Sequence, residues 1–570
     1  MFEQGNAQRP GVYAGLAIVY AALAFAALWP ALRGSFVSDD IGYVVGNPWI
    51  HSLGVANLRA ILDPSGPAAA HTANYAPLHL LLHALFWQLF GANPLGHHAV
   101  NVLLHAVASV LLVALFARAG VPFVAAALGG ALFLLHPANV EVVAWVFQLK
   151  TIVALALTSA ALLLEPRRPL VATAVFALAL LAKIQAAVAI PVLGVALWAG
   201  APAGTRSRGA RIAVLGVWSA ILALALLPEL LAFERLGHAE LAAPLAPWDR
   251  ARASAGFVGR YLMMATTSLC VSAFHQPELP VSWFDPWCLL GLAGAAAIGG
   301  RALFVLARRD DEARFWVWAV GGFVPVSQVL SFLYPLADRY LYFILPGLIG
   351  AGFVATSAPL ARLARAPRSA PARAALLAAV ALLALFGWRS FERAGVWRSD
   401  LTLARDAAAH YPNGIPAQLL LAQNAARRGD VDAAVAALRA ARARGYDRFI
   451  DLEREPVYES LRSDARFRAV VAEIAGAWIA EVARRSHLTA PELRLLGHAH
   501  AARGEWESAL ARLEQVEALG GPGSEGIRAD RAVLRGRRLR AEREAARAGA
   551  SEPARSGASN GGAGDDAPPP

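Results

Sequence analysis

Charged residues are scarce in this chain. Asp, Glu, Lys and Arg make up 16% of its 570 residues, whereas soluble proteins average about 25%. Hydrophobic residues reach 57%, and the mean hydropathy is +0.46. This composition excludes an ordinary water-soluble protein and indicates a polytopic membrane protein. Because the apolar residues are concentrated in the first 390 positions, we expect a membrane part followed by a soluble part.

Lysine and cysteine are also rare. Only Lys150 and Lys183 occur among 52 basic residues, so that the other 50 are arginines. The two cysteines, Cys270 and Cys288, exclude a disulfide framework and a cysteine metal cluster, and two unrelated thiols are favoured over a single bridge. The net charge of +11 comes from dispersed arginines without a compact basic patch beside aromatic residues. We therefore expect no nucleic-acid partner.

Apolar runs near 20 residues predict about eleven membrane-spanning helices and an all-α fold. The runs are continuous and rich in Ala and Leu, whereas the strands of a membrane barrel alternate in polarity. The first run lacks an A-x-A cleavage pattern, so we interpret it as a retained span. A semi-polar segment at 256–274 is left out of the count as an interfacial or re-entrant helix. The runs lie at about 12–32, 98–117, 122–137, 144–164, 169–182, 184–200, 212–232, 287–307, 315–331, 340–358 and 374–390.

Arginine-rich short loops predict the orientation of these spans, because such loops stay in the cytoplasm. They lie at 167–168, 206–211, 308–314 and 362–373, on alternate sides of the predicted spans. This arrangement places the N-terminus in the cytoplasm and the chain from about Trp397 onward on the opposite side. We expect an integral protein of the cytoplasmic membrane with a periplasmic or extracytoplasmic C-terminal part.

Two stretches of the C-terminal part, Ala417 to Arg444 and Glu492 to Leu519, share one helix-turn-helix pattern. Counted from Ala422 and from Gly497, a glycine follows after seven residues, an alanine after twelve and a leucine after sixteen. The pattern resembles tetratricopeptide repeats, which bind peptides or partner proteins. The alternative is that these repeats only cap the membrane part. We predict a membrane domain at 1–396, a repeat-like helical domain at 397–548 and a disordered tail at 549–570.

Ionisable residues gather at the predicted external ends of the spans, which makes them functional candidates. Neighbouring carboxylates such as Asp39 and Asp40 raise each other's pKa, which suits one of them to proton abstraction. Arg339 with Lys150 or Lys183 would complement a phosphate. Such a combination fits a transferase whose donor is a lipid phosphate carrying a sugar. The full set is Asp39, Asp40, His136, Glu141, Lys150, Lys183, Asp338 and Arg339.

Each of these features has a structural alternative. Asp39 and Asp40 can cap a loop helix, Asp338 can pair with Arg339, and Lys150 can extend toward the membrane interface. The histidines at 79 and 83 have the spacing of a metal pair, but no His-Glu-x-x-His pattern accompanies them. Hydrogen bonding between helices is the favoured interpretation of these histidines, and a metal site is the alternative.

Several motifs occur in an order that resembles a known family. They are FVSDDIGY at 36–43 followed by Asn47-Pro48, YAPL at 75–78, HAVNVLLH at 98–105, HPANVEVVAW at 136–145, QLK at 148–150 and DRYLYF at 338–343. Together they resemble the transmembrane and tetratricopeptide-repeat O-mannosyltransferase family and its bacterial relatives. These are membrane glycosyltransferases of the GT-C class, and the resemblance extends to about residue 520.

The resemblance implies inverting transfer of a sugar, mannose or similar, from a polyprenyl-phosphate donor to a protein or other hydroxyl acceptor on the periplasmic side. Asp39 or Asp40 would deprotonate the acceptor, Arg339 would hold the donor phosphate, and Lys150 and Glu141 would line the pocket. The predicted binding set also includes Lys183, His136 and Tyr75. No metal or other cofactor is implied, and a protein acceptor would be engaged through the repeats.

The chain departs from the family pattern at two positions. Ala76 stands where the family commonly has arginine, and Ile184 follows Lys183 where many members have glutamate. A second hypothesis is therefore a catalytically silent membrane scaffold whose repeats recruit partner proteins. A transporter is disfavoured because the first long loop is not membrane-like and no inverted repeat is evident.

Overall fold

The computed structural model describes residues 10–72, 74–200, 207–234, 246–328, 335–483, 488, 490–519 and 526–550. These residues form α-helices with short 3-10 and π turns, and no strand occurs among them, which confirms the all-α prediction. The chain divides into two compact units, Met1–Leu421 and Ala422–Pro570. The domain boundary at 396/397 stays a prediction. The predicted tail lies outside the described residues from position 551 onward.

The first unit contains the apolar helices together with several more polar ones. They are α1 (Pro10–Leu32), α2 (Val55–Leu62), α3 (Pro67–Thr72), α4 (Pro77–Phe90), α5 (Pro94–Arg118), α6 (Phe123–Leu134), α7 (Val140–Ala144), α8 (Leu149–Leu164), α9 (Pro169–Ala182), α10 (Ala189–Ala199), α11 (Arg208–Glu234), α12 (Pro247–Thr267), α13 (Pro286–Ala307), α14 (Glu312–Phe323), α15 (Leu341–Ala355), α16 (Ser357–Arg365), α17 (Ala370–Val396) and α18 (Asp400–His410).

Among the described residues, six helices are long and apolar enough to cross a membrane. They are Pro10–Leu32, Pro94–Arg118, Val146–Leu164, Arg208–Leu230, Pro286–Ala307 and Ala370–Val396. Two helix pairs, bent by 51° and 61°, raise the number to eight if each pair is one span: Phe123–Leu134 with Pro137–Ala144, and Asp338–Ala355 with Ser357–Arg365. Three shorter apolar helices accompany them: Pro77–Phe90, Pro169–Ala182 and Ile184–Ala199. The protein is therefore an all-α membrane protein.

The span count differs from the predicted eleven because several apolar runs are interrupted. In the described part of the run at 315–331, the twelve-residue α14 is followed by a 3-10 turn that contains Pro325. Proline lacks the N–H that would continue the helix. Conversely, α4 is apolar but was not predicted as a span. The semi-polar segment at 256–274 lies in α12 and the turn after it, and α12 is not among the span candidates.

Side-chain caps and prolines determine where several helices begin. The Asn93 side chain accepts the Leu95 N–H at the start of α5, and the Asp285 side chain accepts the Trp287 N–H at the start of α13. In both helices proline occupies the first turn, where its missing N–H is not needed. Such signals are local in sequence, which explains why these boundaries agree with the predicted runs.

Glycine permits two helix pairs of the first unit to pack backbone against backbone. A Cβ atom at Gly291 of α13 would overlap the backbone oxygen of Ala255 in α12. A Cβ atom at Gly347 of α15 would likewise overlap the backbone nitrogen of Ala319 in α14. Small residues drive association of membrane helices because they permit this close approach.

The second unit consists of helices that alternate with short turns. They are α20 (Val431–Ala443), α21 (Phe449–Arg454), α22 (Ala465–Val482), α23 (Ala490–Ala502), α24 (Trp506–Leu519) and α25 (Ile527–Ala550), and α19 (Ile415–Arg427) crosses the division between the units. The two stretches with the repeat pattern each form two helices joined at a glycine of positive φ, Gly429 (+72°) and Gly504 (+77°). Their assignment to the tetratricopeptide family stays a prediction.

The close contact at Gly291 predicts a position-specific effect on stability. We expect Gly291→Ala to lower the thermal stability of the detergent-purified protein by about 1–3 kcal/mol, because two backbones must separate. Gly299→Ala in the same helix is the control, since nothing lies within 4 Å of its added Cβ. Replacing a helical glycine there should be neutral or slightly stabilising. Equal melting temperatures for the two variants would contradict the proposed contact.

Candidate functional site

The loop after α1 is held in place at three points. The Ser35 N–H donates to the carbonyl of Arg398 at 3.1 Å, and the Ser38 N–H donates to the Asp400 carboxylate at 2.8 Å. Ser38 has a φ of +54°, a left-handed conformation that non-glycine residues rarely adopt. The third point of attachment is Asp40.

Asp40 is completely buried and anchors this loop to the turn before α8. One carboxylate oxygen accepts the Phe147 N–H at 2.8 Å, and the other accepts the Val37 N–H at 3.2 Å. Burial raises the pKa of Asp40 to about 8, although the two N–H donors act in the opposite direction. Because Asp40 is fully buried and both of its oxygens bind backbone N–H groups, an acceptor hydroxyl has no direct access to it. Asp39, the partly exposed neighbour, is therefore the better candidate for proton abstraction.

Phe147 links the anchored loop to Lys150. The Lys150 ammonium lies over the Phe147 ring, 4.4 Å from its centroid, as in a cation–π contact. The rings of Tyr43 and His79 pack against Phe147 at 4.7 and 4.9 Å between centroids. Since the same residue donates its N–H to Asp40, the loop anchor also determines where Lys150 lies.

Arg339 is positioned by Glu141, 198 residues earlier in the chain. The two Glu141 oxygens accept hydrogen bonds from the Arg339 backbone N–H at 2.7 Å and from its Nη1 at 2.6 Å. The Glu141 carboxylate is 2% exposed and the Arg339 side chain 14%. The guanidinium also faces the ring of Trp145, 5.6 Å from its centroid. Glu141 thus orients Arg339 and compensates its charge.

Lys183 occupies the break between α9 and the following 3-10 turn, in an extended backbone conformation. Its Nζ donates to the Thr151 hydroxyl at 2.8 Å, and that hydroxyl donates to the Gln148 side chain at 2.7 Å. Both partners flank Lys150 in sequence. The two lysines of the chain therefore belong to one region.

Glu229 of α11 completes the region and is absent from the predicted site residues. Its carboxylate accepts the Tyr75 N–H at 3.0 Å and the Asn74 side chain at 3.3 Å, and it lies within electrostatic range of Lys150 and Lys183. The sequence contained a signal, because an acidic residue inside an apolar run is a functional candidate. Tyr75 itself donates its hydroxyl to the Leu62 carbonyl at 3.0 Å.

These residues form one group, which we call the charged cluster. Lys150 lies within electrostatic range of Asp39, Glu229 and Arg339, and Lys183 within range of Lys150 and Glu141 as well. Three cations therefore face three carboxylates, and the cluster is close to neutral before any ligand enters. The charged cluster comprises Asp39, Glu141, Lys150, Lys183, Glu229 and Arg339.

His136 is held by the backbone of two segments. Its Nδ1 accepts the Ala138 N–H at 3.2 Å, and its Nε2 donates to the Ala265 carbonyl at 3.1 Å. Its ring packs edge-on against Phe386 at 5.0 Å between centroids. Both ring nitrogens are thus bonded to the protein backbone, and the binding role of His136 stays a prediction.

Asp338 is hydrogen-bonded to residues that are distant from it in the sequence. Its carboxylate accepts a hydrogen bond from His275 Nε2 at 2.7 Å and from the Ser272 N–H at 3.3 Å. The other nitrogen of His275 lies 2.8 Å from the Tyr411 hydroxyl. Arg339 in turn bonds Glu141, so the hydrogen bonds of the two neighbours lead to different parts of the chain.

The histidines of α4 also differ from expectation. His79 and His83 are both buried, and no hydrogen-bond partner of their ring nitrogens occurs among the described residues. The two rings instead pack edge to face at 4.4 Å between centroids. The interpretation that these histidines hydrogen-bond between helices is thus wrong for His79 and His83. It holds for His105, whose Nδ1 lies 2.8 Å from the Tyr342 hydroxyl. The part of the chain that the structure describes contains no group of three or more metal-ligating side chains.

Three curated proteins resemble part of the chain. Protein O-mannosyl-transferase TMTC1 of Mus musculus is 34% identical over 155 residues, which is 25% of this chain and 16% of that protein. The Drosophila melanogaster protein O-mannosyl-transferase Tmtc1 is 37% identical over 130 residues, which is 22% of this chain and 15% of that protein. The Homo sapiens protein O-mannosyl-transferase TMTC1 is 33% identical over 142 residues, which is 23% of this chain and 15% of that protein.

The chain is a distant relative of the protein O-mannosyl-transferases. The match spans about one sixth of the length of these curated O-mannosyl-transferases. No protein-family model matches the chain, and no solved structure matches it. The predicted relationship is thus confirmed, and it supports a membrane protein that resembles a glycosyltransferase.

The unequal burial of the two aspartates predicts unequal effects on folding. Asp40→Asn should lower the free energy of unfolding by about 1–3 kcal/mol. Each Asp40 oxygen accepts one buried backbone N–H, and the amide nitrogen of asparagine cannot accept the second of these bonds. Asp39→Asn, the comparison one residue earlier, should have a smaller effect because Asp39 is partly exposed. Thermal unfolding of both purified variants in detergent measures the difference. A larger loss for Asp39→Asn would contradict the anchoring role of Asp40.

Proposed function

We propose that this protein is an inverting glycosyltransferase that moves a sugar from a polyprenyl phosphate to a hydroxyl group of a protein or other acceptor. The observation that carries the proposal is the charged cluster, in which a partly exposed carboxylate, Asp39, lies within electrostatic range of Lys150. The distant relationship to protein O-mannosyl-transferases supports the same reaction class. We place the reaction on the periplasmic side of the cytoplasmic membrane.

In the proposed reaction, Asp39 removes the proton of the acceptor hydroxyl while the hydroxyl oxygen attacks the anomeric carbon of the sugar. The bond between that carbon and the phosphate oxygen breaks, and the polyprenyl phosphate leaves with the bonding electrons. Attack from the side opposite the leaving group inverts the anomeric centre. Asp39 must therefore face the acceptor, with the phosphate on the far side of the sugar.

The leaving phosphate gains negative charge, and cations positioned beforehand stabilise it. Arg339 and Lys150 are suited to this role because Glu141 and Phe147 hold them in place before the donor arrives. Lys183, which Thr151 orients, adds a third cation. The chemistry requires no metal or other cofactor. In this proposal a protein acceptor is engaged through the helical repeats.

The first test of this proposal separates the two aspartates. With a synthetic polyprenyl-phosphate mannose and serine- or threonine-containing peptides, Asp39→Asn should reduce transfer by about 10²- to 10⁴-fold, the usual contribution of a general base. Asp63→Asn, an exposed aspartate later in the same loop, is the matched control. Transfer is measured in detergent by release of polyprenyl phosphate and by mass of the peptide. Wild-type rates from a normally folded Asp39→Asn protein would refute the assignment.

The second test concerns the rarity of lysine. Lys150→Arg should reduce transfer by about tenfold or more, since a planar guanidinium cannot replace a compact ammonium over Phe147 without displacing the donor phosphate. Arg308→Lys, outside the charged cluster, should leave the rate unchanged. Donor dependence of the rate distinguishes weakened phosphate binding from misfolding. If both substitutions are tolerated equally, Lys150 has no special role.

A further inference from the structure

A second polar site lies at the other end of the membrane unit, where α5, α8 and α10 end and α11 and α14 begin. The cavity there has a volume of about 70 Å³. One water needs roughly 10–15 Å³, so several waters or a group of phosphate size can fit. We call this space the basic cavity. Its polar lining consists of Arg118, Glu165, Arg211, Asp311 and Arg314.

The basic cavity is separate from the charged cluster. Helix α8 connects the two, with Lys150 in its first turn and Glu165 immediately after its end. At 1.5 Å per residue, its length places them on the order of 20 Å apart. A ligand in the basic cavity therefore does not contact the proposed catalytic groups.

Arg211 provides the strongest sign that the basic cavity binds a ligand. Its Nε and Nη2 form a forked pair with Glu165, at 2.9 and 2.8 Å, and the two side chains are 4% and 2% exposed. Its Nη1 is equally buried but finds no hydrogen-bond partner among the described residues. A buried donor without an acceptor costs free energy, and this donor belongs to a residue that lines the basic cavity.

Positive charge is also in excess around the basic cavity. Arg118 lies within electrostatic range of Arg314, Arg167 and Arg211. The two lining carboxylates already bind arginines, since Asp311 pairs with Arg314 at 2.7 Å and Glu165 with Arg211. The positive charges of these arginines repel one another, and a bound anion would reduce that repulsion.

We propose that the basic cavity binds a phosphate group. Arg211 Nη1 donates to one phosphate oxygen, while Arg118 and Arg314 supply the charge that retains it. Arginine suits this task because its planar donors match the geometry of phosphate oxygens. The remaining lining is apolar and includes Leu115, Phe315 and Trp318. The phosphate belongs either to the headgroup of an anionic lipid or to free phosphate, and both sources present the same oxygens.

The experiment measures ligand-dependent thermal stabilisation of the detergent-purified full chain. One arm adds phosphatidylglycerol with phosphatidylcholine as its zwitterionic reference, and the other adds inorganic phosphate with sodium chloride at equal ionic strength. We expect a saturable rise in melting temperature in at least one arm. Arg118→Gln with Arg314→Gln should weaken the apparent affinity by about ten- to thirty-fold, because each arginine near an anionic surface contributes a few-fold.

The chosen arginines make the test independent of folding. Arg118 is exposed and Arg314 pairs with a half-exposed carboxylate, so the double variant leaves no buried charge uncompensated. Arg308→Gln with Arg309→Gln is the matched control, since it removes equal charge from a neighbouring turn outside the basic cavity. Stabilisation by phosphatidylglycerol alone identifies a lipid headgroup, and stabilisation by inorganic phosphate identifies the phosphate group itself. No stabilisation of the wild type, or equal stabilisation of the double variant, overturns the proposal.

Discussion

The ion pair between Glu141 and Arg339 is the interaction on which the arrangement of the charged cluster depends. A charge within a membrane protein is costly unless a partner compensates it. A buried ion pair contributes little net stability, but removing one of its partners is strongly destabilising because the other charge stays buried and unpaired. Glu141 bonds both the backbone and the side chain of Arg339. It therefore joins the turn before α15 to α7 and orients the guanidinium before any ligand binds.

The same division of labour recurs throughout the charged cluster. Asp40 is buried and anchors the loop, while its neighbour Asp39 is partly exposed. Phe147 packs among aromatic rings and carries the Lys150 ammonium on its face. In each case one residue provides the position and another provides the chemical group. Pre-positioned charges need little rearrangement during reaction, which is the condition under which electrostatic stabilisation is most effective.

The sequence predicted the helical membrane fold and most members of the charged cluster, because span length, arginine distribution and isolated charges are local signals. It did not predict which residues pair. The Glu141–Arg339 bond joins positions 198 apart, and the partner of Asp338 proved to be His275. Phe147 and Glu229 were missed because the first is one aromatic residue among many and the second lies within a long apolar run. Such pairings are set by the packing of distant helices.

Charge balance gives the clearest reason why the charged cluster suits phosphate departure. The proposed donor, a polyprenyl phosphodiester, carries one negative charge, and the three cations and three carboxylates of the cluster nearly cancel before it binds. In the proposed reaction the acceptor proton neutralises Asp39, while the phosphate becomes a monoester that can carry a second negative charge. The total charge is unchanged, but negative charge moves from the carboxylate to the phosphate beside Arg339 and the lysines. The cations therefore interact more strongly with the products than with the bound donor, which lowers the barrier to bond cleavage.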